Sequence, residues 1–198
     1  MKDTRKSFIA KAKERNRRPN GSPRYCYERV RYRGSKTPVE IRCPRCSSQL
    51  PKGEVFYFSQ RPNDHLGSAN RRPAGCPLCA ASQAESEIFF ILRRLGVEVE
   101  LQKTFDDLRN PETGRLLRYD FYLPEQRVAI EFNGIFHYDD KGFATPVSAQ
   151  AYKFNLKKQY AQDNGIDFVV LSCFDEAPLY DTLENLFTDT TIPRNALI

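Results

Sequence analysis

Apolar positions between residues 82 and 172 change their period along the chain, from helical spacing to strand alternation and back. A helical stripe comes first and ends before Gly96, with apolar residues at Ile88, Phe89, Ile91, Leu92 and Leu95. Strand-like runs follow near 97–105, 116–123 and 126–133, then a helical pattern near 148–164 and a last strand at 166–172. This order of helix, three strands, helix and strand predicts an α/β domain.

The start of the first of these helices carries a capping signal. Ser82 is a favourable N-cap residue, and Glu85 stands three positions later, where its carboxylate can reach back to the N-cap backbone. The composition changes at the same point, from basic and rich in Pro and Gly to regularly periodic. We therefore predict two domains, residues 1–81 and residues 82–198.

The first domain has only short apolar runs. Phe8, Ile9 and Ala12 could lie on one side of a short amphipathic helix that ends before Pro19, or residues 1–24 could form a flexible arm. Strand-like runs follow near 25–32, 38–42 and 54–58. These elements predict a small β-rich module in front of the α/β domain.

Charge divides the chain at the same place. Residues 1–81 carry 19 Lys and Arg against 6 Asp and Glu, whereas residues 82–198 carry 12 against 19. A basic surface suits the phosphates of nucleic acid, so we expect double-stranded DNA as the partner of the first domain. Tyr25, Tyr27 and Tyr32 could add stacking or sugar contacts. The candidate phosphate-binding residues are Arg17, Arg18, Arg24, Arg31, Arg33, Arg71 and Arg72.

Four of the six cysteines form two matched pairs, Cys43-Pro-Arg-Cys46 and Cys76-Pro-Leu-Cys79. Each pair can present two thiolates to one ion, so the spacing predicts a structural zinc site with four sulfur ligands. His65 is either an alternative ligand or a solvated loop residue. The sequence has no apolar run typical of a secretion signal or a membrane span, which predicts a cytoplasmic protein with reduced thiols and no membrane partner.

The segment 118–134 predicts two strands joined by a tight turn. If Glu125 and Gln126 are the central turn residues, Asp120 lies directly opposite Glu131 on the neighbouring strand. Both carboxylates would then point to the same face of the sheet.

Two like charges that face each other across a strand pair destabilise it, so something must compensate for Asp120 and Glu131. A divalent cation does so, and Mg²⁺ or Mn²⁺ held by two carboxylates could activate water for attack on a phosphodiester. In a second interpretation, both acids are exposed strand residues that pair with Arg118 or Arg127.

These residues resemble the PD-(D/E)XK, or restriction-endonuclease-like, nucleases, in the very-short-patch-repair-like branch found in phage and intron homing endonucleases. The resemblance covers roughly residues 82–175, and the first domain, which ends in Gly75-Cys-Pro-Leu-Cys79, resembles the module that precedes such nucleases in phages. The residues that carry it are Glu85, Asp120, Glu131-Phe-Asn133-Gly134, His137-Tyr138, Lys157, Tyr160 and Asn164-Gly-Ile166.

The resemblance implies a restriction-endonuclease-like core and Mg²⁺-dependent cleavage of DNA at a recognised site by a homing or mobile-element endonuclease, acting as a monomer or a homodimer. It implies that Asp120 and Glu131 bind the magnesium ion. It also implies that Glu85 reaches the site from the first helix as a further acid, with Glu87 as the alternative.

In the family a lysine normally stands two positions after the glutamate. This sequence departs from the family there, because it has Asn133 at that position. The positive charge could come from Lys157, and His137 is the candidate general acid or base. An acidic residue usual on the second helix is also replaced, around Phe154-Asn155. Two alternatives therefore stay open, a catalytically degenerate DNA-binding protein on a nuclease scaffold and a DNA repair or junction nuclease.

Overall fold

The chain folds into two compact units, Met1–Ser86 and Glu87–Ile198, here called the N-terminal and the C-terminal unit. The computed structural model describes residues 4–133, 147–172 and 179–188. Each unit combines helices with one sheet. The sequence predicts the division between residues 81 and 82. The observed division lies five residues later, between residues 86 and 87, inside the helix Gln83–Arg94.

The N-terminal unit begins with helix α1 (Arg5–Arg15), so the alternative of a flexible arm is wrong for these residues. Thr4 is its N-cap, and the side chains and backbones of Thr4 and Ser7 form a reciprocal capping box. Phe8 and Ala12 are fully buried, as their helical spacing predicts.

A two-stranded antiparallel sheet follows, formed by β1 (Val39–Arg42) and β2 (Tyr57–Gln60), with Val39 opposite Gln60. The strand predicted at 25–32 is wrong, because only the isolated bridge from Cys26 to Arg42 joins this segment to the sheet. The strand predicted at 54–58 is observed at Tyr57–Gln60.

Three short helices complete the N-terminal unit, namely α2 (Pro44–Ser47), α3 (Pro62–Leu66) and α4 (Pro77–Ala80). All three begin with proline, whose fixed φ suits the first helical position and whose missing N–H would have no partner there. None of the three was evident from apolar periodicity, because each is only about one turn long.

The C-terminal unit contains a four-stranded sheet in the order β3, β4, β5, β6. Its first two connections are antiparallel, and β5 and β6 are parallel, with α6 in the chain between them. No helix in the described part of the chain is both long and apolar enough to cross a membrane. The elements in chain order are α5 (Gln83–Arg94), β3 (Glu100–Arg109), β4 (Leu116–Leu123), β5 (Val128–Asn133), α6 (Val147–Asp163), β6 (Asp167–Ser172) and α7 (Leu179–Thr188).

A cluster of apolar side chains joins α6 to the sheet. Tyr119 of β4 is fully buried in it, and Ala161 of α6 and Ile166 before β6 also contribute. Leu156 and Tyr160 pack against the cluster from α6. This packing fixes the position of α6 along the strands that carry the predicted acids.

Candidate functional site

The four cysteines of the two predicted pairs meet in the N-terminal unit. Their sulfur atoms all lie within 4.8 Å of one another, with Cys46 Sγ 3.4 Å from Cys79 Sγ and 3.7 Å from Cys76 Sγ. These separations exclude disulfides, whose sulfur atoms lie about 2.05 Å apart. Tetrahedral zinc with Zn–S bonds of about 2.3 Å would place the sulfurs about 3.8 Å apart. The cluster could therefore hold a metal ion such as zinc.

Local backbone geometry presents these thiols. Cys43 and Cys76 are the residues before α2 and α4, and the carbonyl of each accepts a hydrogen bond from the residue four positions later. Cys43 N–H donates to the carbonyl of Phe56, and Cys76 N–H donates to the hydroxyl of Tyr25 at 3.0 Å. The two turns are thus held in place by contacts outside the cysteines themselves.

The charge balance of the cluster also favours a cation. The neighbouring thiols of Cys46 and Cys76 lower the pKa of Cys43, whereas the proximity of Cys43 raises the pKa of Cys46 and Cys76. The Cys43 thiolate is thus stabilised by its neighbours, whereas ionisation of Cys46 and Cys76 is opposed. All four sulfurs can be ionised together only if a cation compensates.

His65 belongs to the core of the N-terminal unit, so both earlier interpretations of it, zinc ligand and solvated loop residue, are wrong. It lies on α3, is 0% exposed, and its ring is surrounded by aromatic rings. The ring centroids within 6.4 Å of it belong to Phe8, Tyr25, Tyr27 and Phe58.

Hydrogen bonds fix the tautomer of this histidine. Gln60 uses its amide N–H to donate to the carbonyl of Gly75, so its Oε1 accepts from His65 Nδ1 at 2.8 Å. His65 Nε2 then accepts from the Tyr27 hydroxyl at 3.0 Å. Burial lowers the pKa of His65 to about 4, so the ring is neutral at pH 7.

Two of the three tyrosines suggested as DNA contacts are core residues instead. Tyr25 and Tyr27 are buried, and their hydroxyls are used by Cys76 and His65. Tyr32 is half-buried and stacks on Phe8 at 5.4 Å. In this segment, the two buried tyrosines therefore belong to the core, whereas the arginines lie at the surface.

The seven arginines predicted to bind phosphate are all exposed. Arg71 donates to Asp64 Oδ1 at 2.6 Å, which neutralises part of its charge. Arg31 and Arg33 line a cavity, which is described further below. The other predicted residues are Arg17, Arg18, Arg24 and Arg72.

In the C-terminal unit, the hairpin of β4 and β5 has the register that the sequence predicts. Phe121 pairs with Ile130 and Leu123 with Val128, and the next pair in this register would be Asp120 and Glu131. The ladder ends before that pair. The two acids thus lie where the pairing between β4 and β5 stops.

The Asp120 carboxylate accepts hydrogen bonds at the point where the pairing of β4 with β5 stops. Its Oδ2 accepts from the backbone N–H of Phe132 at 3.0 Å, and its Oδ1 accepts from Gln102 Nε2 at 3.4 Å. Gln102 was not expected in the site. It lies between Leu101 and Lys103, which pair regularly with β4, but its own φ is +53°. A left-handed residue inside a strand costs free energy and often marks a functional site.

Glu131 is buried and holds an ion pair with Lys157. Lys157 Nζ donates to Glu131 Oε2 at 2.7 Å, and both side chains are shielded from solvent. Glu131 Oε1 is also buried, but receives no hydrogen bond from any residue that the structure describes. Within the described residues, one oxygen of this carboxylate is therefore buried without a donor.

The ionisation of Glu131 depends on what surrounds it. Burial raises its pKa to about 7, although the Lys157 ammonium lowers it, and the Asp120 carboxylate raises it further. The two acids therefore act on each other electrostatically, as the sequence predicts for opposed carboxylates. Glu131 pairs with Lys157 rather than with Arg118 or Arg127, and Arg127 donates to backbone carbonyls in the turn before β6.

The helix that carries Lys157 is attached to the sheet at the lysine itself. The hydroxyl of Tyr119, on β4, donates to the backbone carbonyl of Lys157 at 2.7 Å. Since Tyr119 is fully buried in the apolar cluster, this bond fixes the rotation of α6 relative to the sheet. The structure thereby brings together Asp120, Glu131 and Lys157 from β4, β5 and α6.

The other predicted site residues have different outcomes. Glu85 Oε2 accepts from the backbone N–H of Ser82 at 2.8 Å, and Glu85 N–H donates to Ser82 Oγ, so the predicted capping box is confirmed. Asn133 ends β5 and is half-buried, paired in register with Ser172. His137 lies outside the described residues. Glu87 is exposed.

No family model, no curated protein and no solved structure matches the chain.

Proposed function

We propose that the C-terminal unit is a metal-dependent DNA endonuclease with a restriction-endonuclease-like site at Asp120, Glu131 and Lys157. The observation that carries the proposal is the buried Glu131 carboxylate, whose Oε1 has no donor within the described chain. A buried oxygen without a partner costs about 1–3 kcal/mol, more if it is charged. A divalent cation shared with Asp120 would compensate for this cost.

Asp120 and Glu131 would hold Mg²⁺ or Mn²⁺, which when bound would activate water and neutralise charge on the scissile phosphodiester. The protein side chains then have separate tasks. Asp120 is oriented by the Phe132 N–H and by Gln102. Lys157 supplies the positive charge that Asn133 lacks, and its ammonium would stabilise negative charge developing on the phosphate.

We propose zinc as the ion of the cysteine cluster and a structural role for it. Four thiolates leave no open position for a substrate, so the ion would hold the turns of α2 and α4 together. The excess of basic residues in the first 81 positions supports binding of DNA by this unit.

The cleavage test uses the full chain, supercoiled plasmid and the DNA that flanks the gene, with and without added Mg²⁺. We expect Mg²⁺-dependent cutting, and a loss of at least 100-fold in Asp120→Asn and Glu131→Gln. Glu125→Gln is the matched control, because Glu125 is an exposed acid in the turn of the same hairpin. Wild-type protein that cuts none of these DNAs, nor mismatched or branched duplexes, would refute the proposal.

Glu85→Gln separates two roles for the helix acid. Glutamine can still accept the capping hydrogen bond from Ser82, but it carries no charge. Retained cutting would assign Glu85 to the cap alone, whereas a large loss would place it in the catalytic site.

The ion pair between Glu131 and Lys157 also favours a second candidate, a DNA-binding protein whose site has become inactive. Lys157 already balances the charge of Glu131 without a metal ion. Electron paramagnetic resonance with Mn²⁺ discriminates between them. An active site should bind Mn²⁺ and lose it in Asp120→Asn, whereas an inactive one should bind none in either protein.

A further inference from the structure

A cavity of about 820 Å³ in the N-terminal unit is open to solvent and rich in arginine. We call it the arginine groove. It carries four positive against two negative side chains, and it lies entirely within one unit. Its lining residues are Arg5, Glu28, Arg29, Val30, Arg31, Tyr32, Arg33 and Glu40.

Two of the four guanidinium groups are held by neighbouring groups. Arg5 Nε donates to the carbonyl of Val30 at 2.8 Å, and its Nη2 donates to the carbonyl of Glu28. The Arg29 guanidinium lies over the ring of Tyr57, 4.1 Å from its centroid. Side chains fixed before binding lose less conformational entropy when a ligand arrives.

The other two arginines are available to a ligand. Arg31 and Arg33 are exposed, and neither forms an ion pair with any acid in the described part of the chain. Of the two acids in the groove, Glu28 is engaged by Arg42 at 3.4 Å and by the Tyr57 hydroxyl at 2.9 Å. The groove therefore keeps a net positive charge.

The groove suits phosphates better than bases. Guanidinium groups match phosphate oxygens in charge and in planar geometry. Single-strand binding relies on aromatic rings as stacking platforms, but Tyr32, the aromatic residue of the lining, is half-buried and stacked on Phe8. Tyr57 next to the groove is covered by Arg29.

We propose that the arginine groove is the main site at which this protein holds the phosphate backbone of duplex DNA. The choice of DNA as the polyanion rests on the proposed function. The site itself rests on four converging arginines, two of which, Arg5 and Arg29, were not among the predicted contacts.

The test measures binding of a fluorescent 30-base-pair duplex to the full chain by anisotropy, without Mg²⁺ and without chelator, so that no DNA is cut and the cysteine cluster is not stripped. The groove variant carries Arg29→Gln, Arg31→Gln and Arg33→Gln. The control carries Arg45→Gln, Lys52→Gln and Arg61→Gln, three exposed cations of the same unit that do not line the groove. Both variants lose the same charge.

We expect the groove variant to bind at least 30-fold more weakly and the control less than threefold. The slope of log affinity against log salt should become less negative by about 3 in the groove variant, because each lost phosphate contact removes about 0.9. Equal losses in both variants, unchanged binding by the groove variant, or preference for single-stranded DNA would overturn the proposal.

Metal content and thermal melting should match the wild type in both variants. If the groove variant is misfolded, Arg31→Gln alone replaces it, since this side chain is exposed, and it should weaken binding by at least threefold. Unchanged binding by Arg31→Gln would then overturn the proposal. Because binding is measured without cleavage, a failure of the groove is distinguishable from a failure of the nuclease site.

Discussion

In the N-terminal unit four thiols converge within 4.8 Å, whereas in the C-terminal unit one carboxylate pairs with a lysine and is affected electrostatically by a second carboxylate. The thiols lie on two one-turn helices and on the residues that precede them, in a unit whose sheet has only two strands. The carboxylates lie on a four-stranded sheet with a packed helix. Under the proposed function, a metal ion would contribute to folding in the first unit and to chemistry in the second.

The largest effect should come from breaking the cysteine cluster. Cys76→Ser removes a buried ligand, and a structural zinc can contribute about 10 kcal/mol to folding. We expect amide protection to be lost throughout the N-terminal unit and retained in the C-terminal unit, as measured by hydrogen exchange with mass spectrometry. Cys26→Ser, at a half-buried cysteine outside the cluster, is the control. Loss of protection in both units together would contradict the distinction.

A smaller effect should follow from removing Lys157. Lys157→Met leaves Glu131 buried without its cation, at a cost of about 3 kcal/mol. The pKa of Glu131, already raised to about 7, should rise further in this variant. The carboxyl is then neutral at pH 6, so the loss of stability appears at pH 8. A group with a raised acidic pKa destabilises the fold as pH rises above its unfolded value near 4.5.

Urea unfolding at pH 6 and pH 8, followed by protection of β5 and α6, measures this effect. Lys158→Met, at an exposed neighbour on the same helix, should leave stability unchanged within about 0.5 kcal/mol. The double variant Lys157→Met with Glu131→Gln should recover most of the loss. If it does not, the ion pair is not the reason for the instability.

The N-terminal unit should respond to pH in the opposite direction. His65 has a folded pKa of about 4, below its usual 6.5, so its stabilising contribution is present above pH 6.5 and is lost as pH falls towards 4. This corresponds to about 2 kcal/mol between pH 7 and pH 5.

His65→Gln removes this titration. We expect the variant to be less stable than the wild type at pH 7. Its free energy of unfolding should fall by about 2 kcal/mol less than that of the wild type between pH 7 and pH 5, as measured by urea unfolding of the N-terminal unit. Both proteins carry the same cysteines, so the difference between them isolates His65. Equal slopes would show that the histidine does not titrate in this range.

Some of this architecture was predictable because it depends on spacing alone. The turn between β4 and β5 sets the register, so the positions of Asp120 and Glu131 followed from counting residues. The two Cys-Pro-x-Cys pairs likewise specify one cluster. Ser82 and Glu85 form the predicted capping box because both partners lie within one helical turn.

Other features depend on contacts between distant segments and were missed. The alternation in 25–32 is typical of a strand, but it arises from Tyr25 and Tyr27 packing around His65. Only the tertiary structure shows that Arg5 and Arg29, which are 24 positions apart, line one groove. The sequence named Lys157 as a possible source of charge, but the contact with Glu131 required the docking of α6 through Tyr119.

The conformation of Gln102 places stability and function in competition at a single position. Glycine would relieve the left-handed backbone but has no side-chain donor for Asp120, whereas the Gln102 amide donates to it. A library screened only for folded protein should therefore drift towards glycine at this position. Under the proposed function, a library screened for DNA cutting should keep glutamine, and the ratio of glutamine to glycine among survivors would measure how much cutting depends on this strained residue.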